Sequence, residues 1–424
     1  MINSRPIRDF HDLVLGTRKR IWYKGFEMGH GLNARGPLGF LLLMVLPFLL
    51  QVPLWSVDIR GDMSFEALAF PDDAAQPEPG RSAFSLKAQA ELYWMSESGH
   101  EFILEPFGRV DSEDDDRDHV DLRQALWQKD FDEFSLRVGL GQVYWGQTEF
   151  LHLVNVVNQT DGIENPDAED KLGQPMVEAL WYTETGEVSF YLLPVFRERT
   201  FSGSGGRFRG PFPVDTDRAI YESGAKEFHP DFALRWAHLQ GSLELGTSVF
   251  VGTDREPVLM VSGGSLRPHY YQTVRLGLES LYVWEDWIFK LEVLNAERQS
   301  EWEQALTGGF EWTKVGLLES EHDLGIILEG AWHSGGSSFT TFDRELMGGL
   351  RWVFNDEAGT EVLTGAIIDL DLGSTMASLE ASRRLTDQWK LNLEGRFFFD
   401  VDPTDPLAVL REDSHLRSEL QYYF

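Results

Sequence analysis

The chain contains no cysteine. It therefore has no disulfide framework, thiol nucleophile or cysteine zinc site, an absence compatible with an oxidising cell envelope without proving one. Basic residues are scarce: 37 Lys and Arg stand against 69 Asp and Glu, a formal net charge of −32. A polyanionic partner needs clustered Lys and Arg, so nucleic acid is excluded. Beyond residue 60 there is no convincing long helical pattern. A soluble chain of this length would normally divide into two or three domains with helical stretches, and no such division is visible. Metal-ligand spacing is also missing, because His152, His229, His238 and His269 are scattered with no two on one element at a ligating interval. The glycine-rich segment Gly203 to Gly210 lacks both a following Lys-Ser/Thr and a strand–turn–helix setting, so it is not a nucleotide loop. It reads instead as an exposed flexible lid offering Arg207 and Arg209 to anionic sugars or solutes.

Residues 36–57 carry no charge and follow a basic leader containing Arg18, Lys19, Arg20, Lys24 and Arg35. The apolar heart, Leu38 to Leu50, has the length of a signal-peptide core rather than the ~20 residues of a spanning helix. Residues 1–56 are therefore expected to be a basic leader and signal peptide, cut after Ser56, with Met28 as an alternative start. An uncleaved anchor is the other reading, and Pro37, Pro47 and Pro53 count against it.

From residue 57 to 424 the pattern has period two. Phe84, Leu86, Ala88, Ala90, Leu92 and Trp94 alternate with Lys87, Gln89, Glu91 and Tyr93. Val274, Leu276, Leu278, Tyr282 and Trp284 alternate with Arg275, Gly277 and Glu279, and the stretches 287–293, 346–354 and 389–399 repeat the scheme. Side chains of a strand alternate between faces, so each segment is oily on one side and wet on the other. A helix would scatter these charges over both faces. About eighteen such segments fit, with sixteen as the alternative, each near the ~9–11 residues a tilted strand needs to cross a bilayer. Short turns at 96–99, 184–186, 240–241, 285–286, 356–359 and 386–387 alternate with long connections at 146–175, 198–229, 253–270, 334–344 and 402–413. The connection at Leu372-Gly373 breaks this alternation by being short.

The last strand, His415 to Phe424, ends on Tyr422 and a terminal Phe424 on its oily face. In lipid no water satisfies an open edge, so the first strand must meet the last. The expected fold is an all-β, transmembrane, antiparallel up-and-down β-barrel behind a signal peptide. A large soluble sandwich or β-helix would bury the same faces, yet would not require the export signal, the aromatic ending and the alternating loops together.

The segment Phe134 to Glu149, with Gly139-Leu140-Gly141-Gln142 and then Trp145-Gly146 leading into Val154-Asn155-Val156-Val157-Asn158, resembles bacterial outer-membrane porin-like proteins. The proline that often follows the Val-Asn pair in that group is absent. The resemblance implies a Gram-negative outer-membrane location and contact with lipid and lipopolysaccharide. It also implies delivery by the barrel-assembly machinery, with Tyr422 and Phe424 marking the targeting strand. A channel or uptake porin for small polar solutes follows, with no cofactor and no metal, and a homo-oligomer is left open; fold alone does not choose the solute.

Loop 146–175 is then the candidate constriction. It carries Glu149, Asp161, Glu164, Asp167, Glu169 and Asp170, while inferred lumen faces carry Arg137, Arg275, Lys290, Arg351, Lys390, Arg396 and Arg417. Acids facing a basic ladder would set a transverse field across a water-filled eyelet. Alternatively each cation pairs with Glu279, Glu292, Glu394 or Glu419 on neighbouring strands and simply holds register. The acidic run 111–116 is either a solvated turn or a divalent-cation site. Catalysis is not expected, because His333 and Ser334 are adjacent in a strand and point apart. A closed barrel that binds an external partner through its loops is the second functional reading, and a barrel lipid hydrolase the third.

Overall fold

The computed structural model describes residues 57–77, 79–335 and 342–424. The expected leader and signal peptide at 1–56 lie outside the described residues. The first strands are β1 (Asp58–Ala69), β2 (Ser82–Met95), β3 (His100–Asp111), β4 (His119–Asp130), β5 (Phe134–Gly141), β6 (Gln174–Thr183) and β7 (Gly186–Leu193). Next come β8 (Ile220–Tyr221), β9 (Asp231–Gln240), β10 (Leu243–Thr253), β11 (Val258–Ser262), β12 (Ser265–Tyr270), β13 (Gln272–Trp284) and β14 (Trp287–Arg298). The chain finishes with β15 (Glu301–Lys314), β16 (Asp323–His333), β17 (Arg344–Val353), β18 (Glu361–Asp369), β19 (Thr375–Arg384), β20 (Trp389–Phe399) and β21 (His415–Tyr423).

Eighteen of these form one sheet, each strand pairing with its barrel neighbours, while β8, β11 and β12 form a separate three-stranded sheet. The barrel closes where β1 runs antiparallel to β21, from Asp62 opposite Tyr423 to Ala69 opposite Leu416. Gly61 and Phe424 complete the seam with two backbone hydrogen bonds of 3.2 and 3.0 Å. Closure removes the edges that an open sheet would leave unpaired in hydrocarbon.

The period-two reading of faces holds. Phe84, Leu86, Leu276, Tyr282, Trp284, Leu346, Leu350, Trp352 and Leu393 are exposed on the outside, whereas their odd or even neighbours Glu279, Glu292, Glu394 and Arg275 are buried inside. Aromatic rings gather at the short-turn end, with Trp287 against Phe310 and Trp312, Trp94 against Phe102, and Trp389 5.0 Å from Tyr422. Rings with one wet edge suit a membrane–water boundary.

The loops depart from expectation in two places. A second short connection, Gln299-Ser300, joins β14 and β15 at the long-loop end. Both residues have positive φ, 55° and 66°, the geometry of a two-residue hairpin turn that usually announces itself as Asn-Gly; Gln-Ser gives no such warning. The glycine-rich segment is not an exposed flexible lid. Arg207 is buried, donating to Asp413 at 2.7 Å and to the Glu412 carbonyl at 2.6 Å, and Gly203 donates its N–H to Asp114 at 3.0 Å. Added Cβ atoms at Gly203 and Gly206 would lie 2.3 and 2.4 Å from carboxylate oxygens of Asp116 and Asp114, so the glycines are there for close approach.

An Arg at position 276, on the outer face near the middle of β13, should destabilise the barrel by about 2–4 kcal/mol if lipid covers that face. Equilibrium refolding into bilayers, comparing Leu276→Arg with Leu276→Phe, measures the difference.

Candidate functional site: the infolded loop

Residues 142–173, between β5 and β6, fold into the lumen. The base is stitched by Asn158, whose Nδ2 donates to the Gly141 and Leu172 carbonyls at 2.9 and 2.8 Å while its Oδ1 accepts from the Val143 N–H at 2.8 Å. Gln142 donates to the Lys171 carbonyl. Trp145 is 3% exposed and packs edge-on against Tyr191. The Trp-Gly and Val-Asn elements of the sequence are thus the fasteners of this loop.

Two wall carboxylates receive its backbone. Glu292 on β14 accepts from the N–H groups of Gln147 at 2.7 Å, Thr148 at 3.0 Å and Val154 at 3.2 Å, and from the Thr148 hydroxyl at 2.6 Å. Glu329 on β16 accepts from the N–H groups of Glu149 at 2.9 Å and Phe150 at 3.2 Å. Gly146, at φ 132°, is needed here because a Cβ would lie 2.9 Å from the Glu292 carboxylate. Gly349 and Gly365 face each other across β17 and β18 and leave space for the Phe150 ring, which a Cβ would meet at 3.2 and 3.0 Å.

Around this seat lies a hydrophobic core inside the barrel. Leu153, Val154, Val156 and Val157 of the loop pack with Met176, Tyr191, Leu193, Phe250, Leu294 and Met347 of the wall. The other end of the loop is held by charge. Glu164 meets Arg109 at 2.7 Å, Asp161 meets Arg123 at 2.6 Å, and Asp167 meets Arg396 at 3.2 Å. Glu66 completes this network at 2.9 Å from Arg109 and 3.1 Å from Arg117.

Of the residues expected to line a constriction, Glu149 sits with Lys290 at 3.3 Å and Arg351 at 2.7 Å. Burial works against its charge, but the two cations prevail and hold its carboxyl below the ordinary range. Arg137 pairs with Glu178 at 2.7 Å, Arg417 with Glu394 at 2.5 Å, Arg275 with Asp254, and Glu279 with Arg235. Lys390 lies half-buried at the short-turn end of β20. Of the ladder, Lys290, Arg351 and Arg396 thus meet acids of the infolded loop, Arg137 and Arg417 meet acids of neighbouring strands, and Arg275 meets Asp254 in the connection after β10.

Sequence reasoning missed Arg109, Arg123 and Glu329, and gave Glu292 a cation partner rather than backbone N–H groups. The alternation His119-Val120-Asp121-Leu122-Arg123, with Val120 exposed outside and Arg123 buried inside, carried the signal for Arg123. The acidic run 111–116 caps its own short turn, Asp114 accepting from the Asp116 N–H at 3.2 Å and Asp111 meeting Arg117 at 2.8 Å. Among the described residues His119, Asp161 and Glu164 bring ligand atoms within 4.8 Å of one another. Arg123 already supplies positive charge there, 2.6 Å from Asp161 and 3.9 Å from Glu164. His333 faces Glu303 at 3.2 Å while the Ser334 hydroxyl accepts from the Gln304 N–H, so they do not form a dyad.

The loop keeps one wet edge. Tyr144 is 58% exposed, and Glu169 and Asp170 are exposed beside it. Its hydroxyl lies 2.9 Å from His152 Nδ1, and partial burial together with Glu169 and Glu292 pushes the phenol upward, so it stays a neutral hydrogen-bonding group. Although the residue keeps an open edge, protein crowded around the Asp170 carboxyl within the lumen, then Glu164 and Asp167, raise it to about 6, against the opposing pull of Arg417 and Lys87.

A closed antiparallel barrel of eighteen strands, aromatic at both rims, long-looped at one and narrowed by a loop folded into its lumen, is the fold of the porin-like outer-membrane β-barrels. Among solved structures the chain is similar to Wzi, an outer membrane protein involved in group 1 capsule assembly in Escherichia coli and a carbohydrate binding β-barrel. The identity is 11%, the TM-score 0.52, and the match covers 91% of this chain and 88% of that one. It also matches a loop-deletion mutant of OmpT, an outer membrane protein of Vibrio cholerae (11% identity, 87% and 99% covered, TM-score 0.43), and a mutant Rh. blastica porin (11%, 87% and 100%, 0.42). No family model and no curated protein matches the sequence. The likeness is one of fold.

Replacing Glu292 with Ala removes the acceptor for four donors, each charge-assisted bond contributing about 1.5–3 kcal/mol. The Glu292→Ala barrel should stay closed, as judged by heat-modifiable mobility, while trypsin cuts the loop at Lys171 at least roughly ten-fold faster than in the unchanged chain.

Proposed function

We propose that this chain is a channel of the porin class in the outer membrane of a Gram-negative bacterium, passing small polar solutes along the part of the lumen that the loop leaves to water. In this reading lipid and lipopolysaccharide surround the barrel, and Tyr422 and Phe424 present the closing strand to the assembly machinery. The observation that carries it is the wet edge of the infolded loop. Tyr144, Glu169 and Asp170 are exposed, Arg137, Lys87 and Arg417 on the wall remain partly accessible, and a cavity of about 530 Å³ runs from Gln147 toward the short-turn end. Solutes then move down their gradient through a polar lumen with no energy coupling.

A second reading has its own support. The loop's apolar core and its ion pairs fill one side of the barrel, and Wzi, similar in fold, is a carbohydrate binding β-barrel; a barrel shut by its loop would use its long-loop face to bind a polar polymer. Single-channel recording of the refolded chain in a planar bilayer separates the two. Stepwise conductance supports the channel; a folded barrel that stays silent overturns it and leaves the binding barrel.

The acidic edge should make the channel favour cations. Asp170 is neutral below about 6 and charged above it, so cation preference should rise between pH 5 and 7. Reversal potentials in a salt gradient measure this, and Asp170→Asn should flatten the step.

A further inference from the structure

Residues 207–215, in the connection between β7 and β9, tie together two other connections that leave the rim on opposite sides. At one end Arg207 donates to Asp413 at 2.7 Å and to the Glu412 carbonyl at 2.6 Å, both in the connection after β20. At the other, the Pro213 carbonyl accepts from the Leu266 N–H and the Asp215 N–H donates to the Leu266 carbonyl, each at 2.8 Å, in the connection after β10. Around the ring β10 is the ninth strand and β20 the seventeenth. The two connections therefore stand eight positions apart, where nine of the eighteen would be diametric. The segment between them is a strap over the long-loop mouth.

Arg207 holds the strap to a third connection as well. It donates to the Asp72 and Gly80 carbonyls, after β1, at 3.1 and 3.3 Å, and its guanidinium lies 4.2 Å over the Phe70 ring. The approach to the strap rests on the infolded loop: the Thr200 hydroxyl donates to Asp161 at 2.5 Å, and a Cβ at Gly162 would lie 2.6 Å from the Thr200 carbonyl oxygen. From Ser202 to Gly210 the one apolar side chain is Phe208, which packs against Phe70 and His415. A segment that buries so little apolar surface opens at low cost, so the buried guanidinium of Arg207 decides where it lies.

We propose that this strap restricts entry to the lumen and that Arg207 is the residue positioning it, so that undoing the Arg207 clasp widens the way into the barrel. The inference rests on the channel reading and adds to it the element that limits access from the long-loop side.

Because the chain has no cysteine, one introduced disulfide can lock the strap. A Cβ at Gly210 would lie 3.8 Å from Val409 Cγ1, in the connection after β20, within the separation a disulfide bridges. Planar-bilayer recording compares the unchanged chain, Arg207→Ala, and Arg207→Ala carrying Gly210→Cys and Val409→Cys, each confirmed folded by heat-modifiable mobility. Arg207→Ala should conduct about two-fold or more above the unchanged chain. The cysteine-bearing variant should match the unchanged chain while oxidised and rise to the Arg207→Ala level on reduction, a reversible change that a folding defect does not produce. Equal conductance of Arg207→Ala and the unchanged chain, or a locked variant indifferent to reduction, overturns the strap and leaves the channel standing. A silent unchanged chain whose reduced variant conducts supports the strap and overturns the channel as an open one. Silence of all three overturns both.

Discussion

The interior of this barrel depends on an exchange between two buried carboxylates and one stretch of backbone. Glu292 and Glu329 are 0% and 1% exposed and would be costly in the lumen wall without donors. The loop at 147–154, drawn away from bulk water, would be equally costly with its N–H groups unmet. Each supplies what the other lacks. Neither half of the arrangement makes sense alone, and Gly146 is the point at which the chain comes close enough to join them.

From that seat the loop divides the lumen. On one side Val154, Val156 and Val157 bury themselves against wall residues, so part of the barrel has a dry core of the kind expected in a soluble protein. On the other side the ion pairs of Glu164, Asp161 and Asp167 reach the opposite wall. Such buried pairs add little net stability, but removing one partner costs about 3–5 kcal/mol because the other charge is left stranded. They therefore fix where the loop lies more than how tightly it holds. The loop's exposed edge is formed by Tyr144, Glu169 and Asp170.

The barrel itself was legible in the sequence because lipid and lumen impose opposite demands at every second residue, and Leu276 or Arg275 obeys that demand without reference to distant parts of the chain. Tyr422 and Phe424 were legible for the same reason. Gln299-Ser300 was not, since its left-handed turn uses residues that do not favour one. The site was half legible. Its acids and basic residues could be placed on the lumen side by period alone, but their pairing depends on how a thirty-residue excursion crosses the barrel, which no local pattern encodes. Glu292 was visible only as an inward acid between Leu291 and Val293. That it would accept backbone N–H groups instead of facing a cation follows from the path of the loop. Arg207 misled for a related reason: glycine neighbours suggested freedom, whereas here they allow close packing onto Asp114 and Asp116.

The central claim, that residues 142–173 are a fixed part of the lumen rather than a mobile external loop, is tested most directly by amide hydrogen exchange of the refolded chain followed by mass spectrometry. Protection across 147–164 comparable to that of the flanking strands β5 and β6 is the predicted result. Exchange of that segment at the rate of an unstructured chain, with the strands still protected, would contradict it.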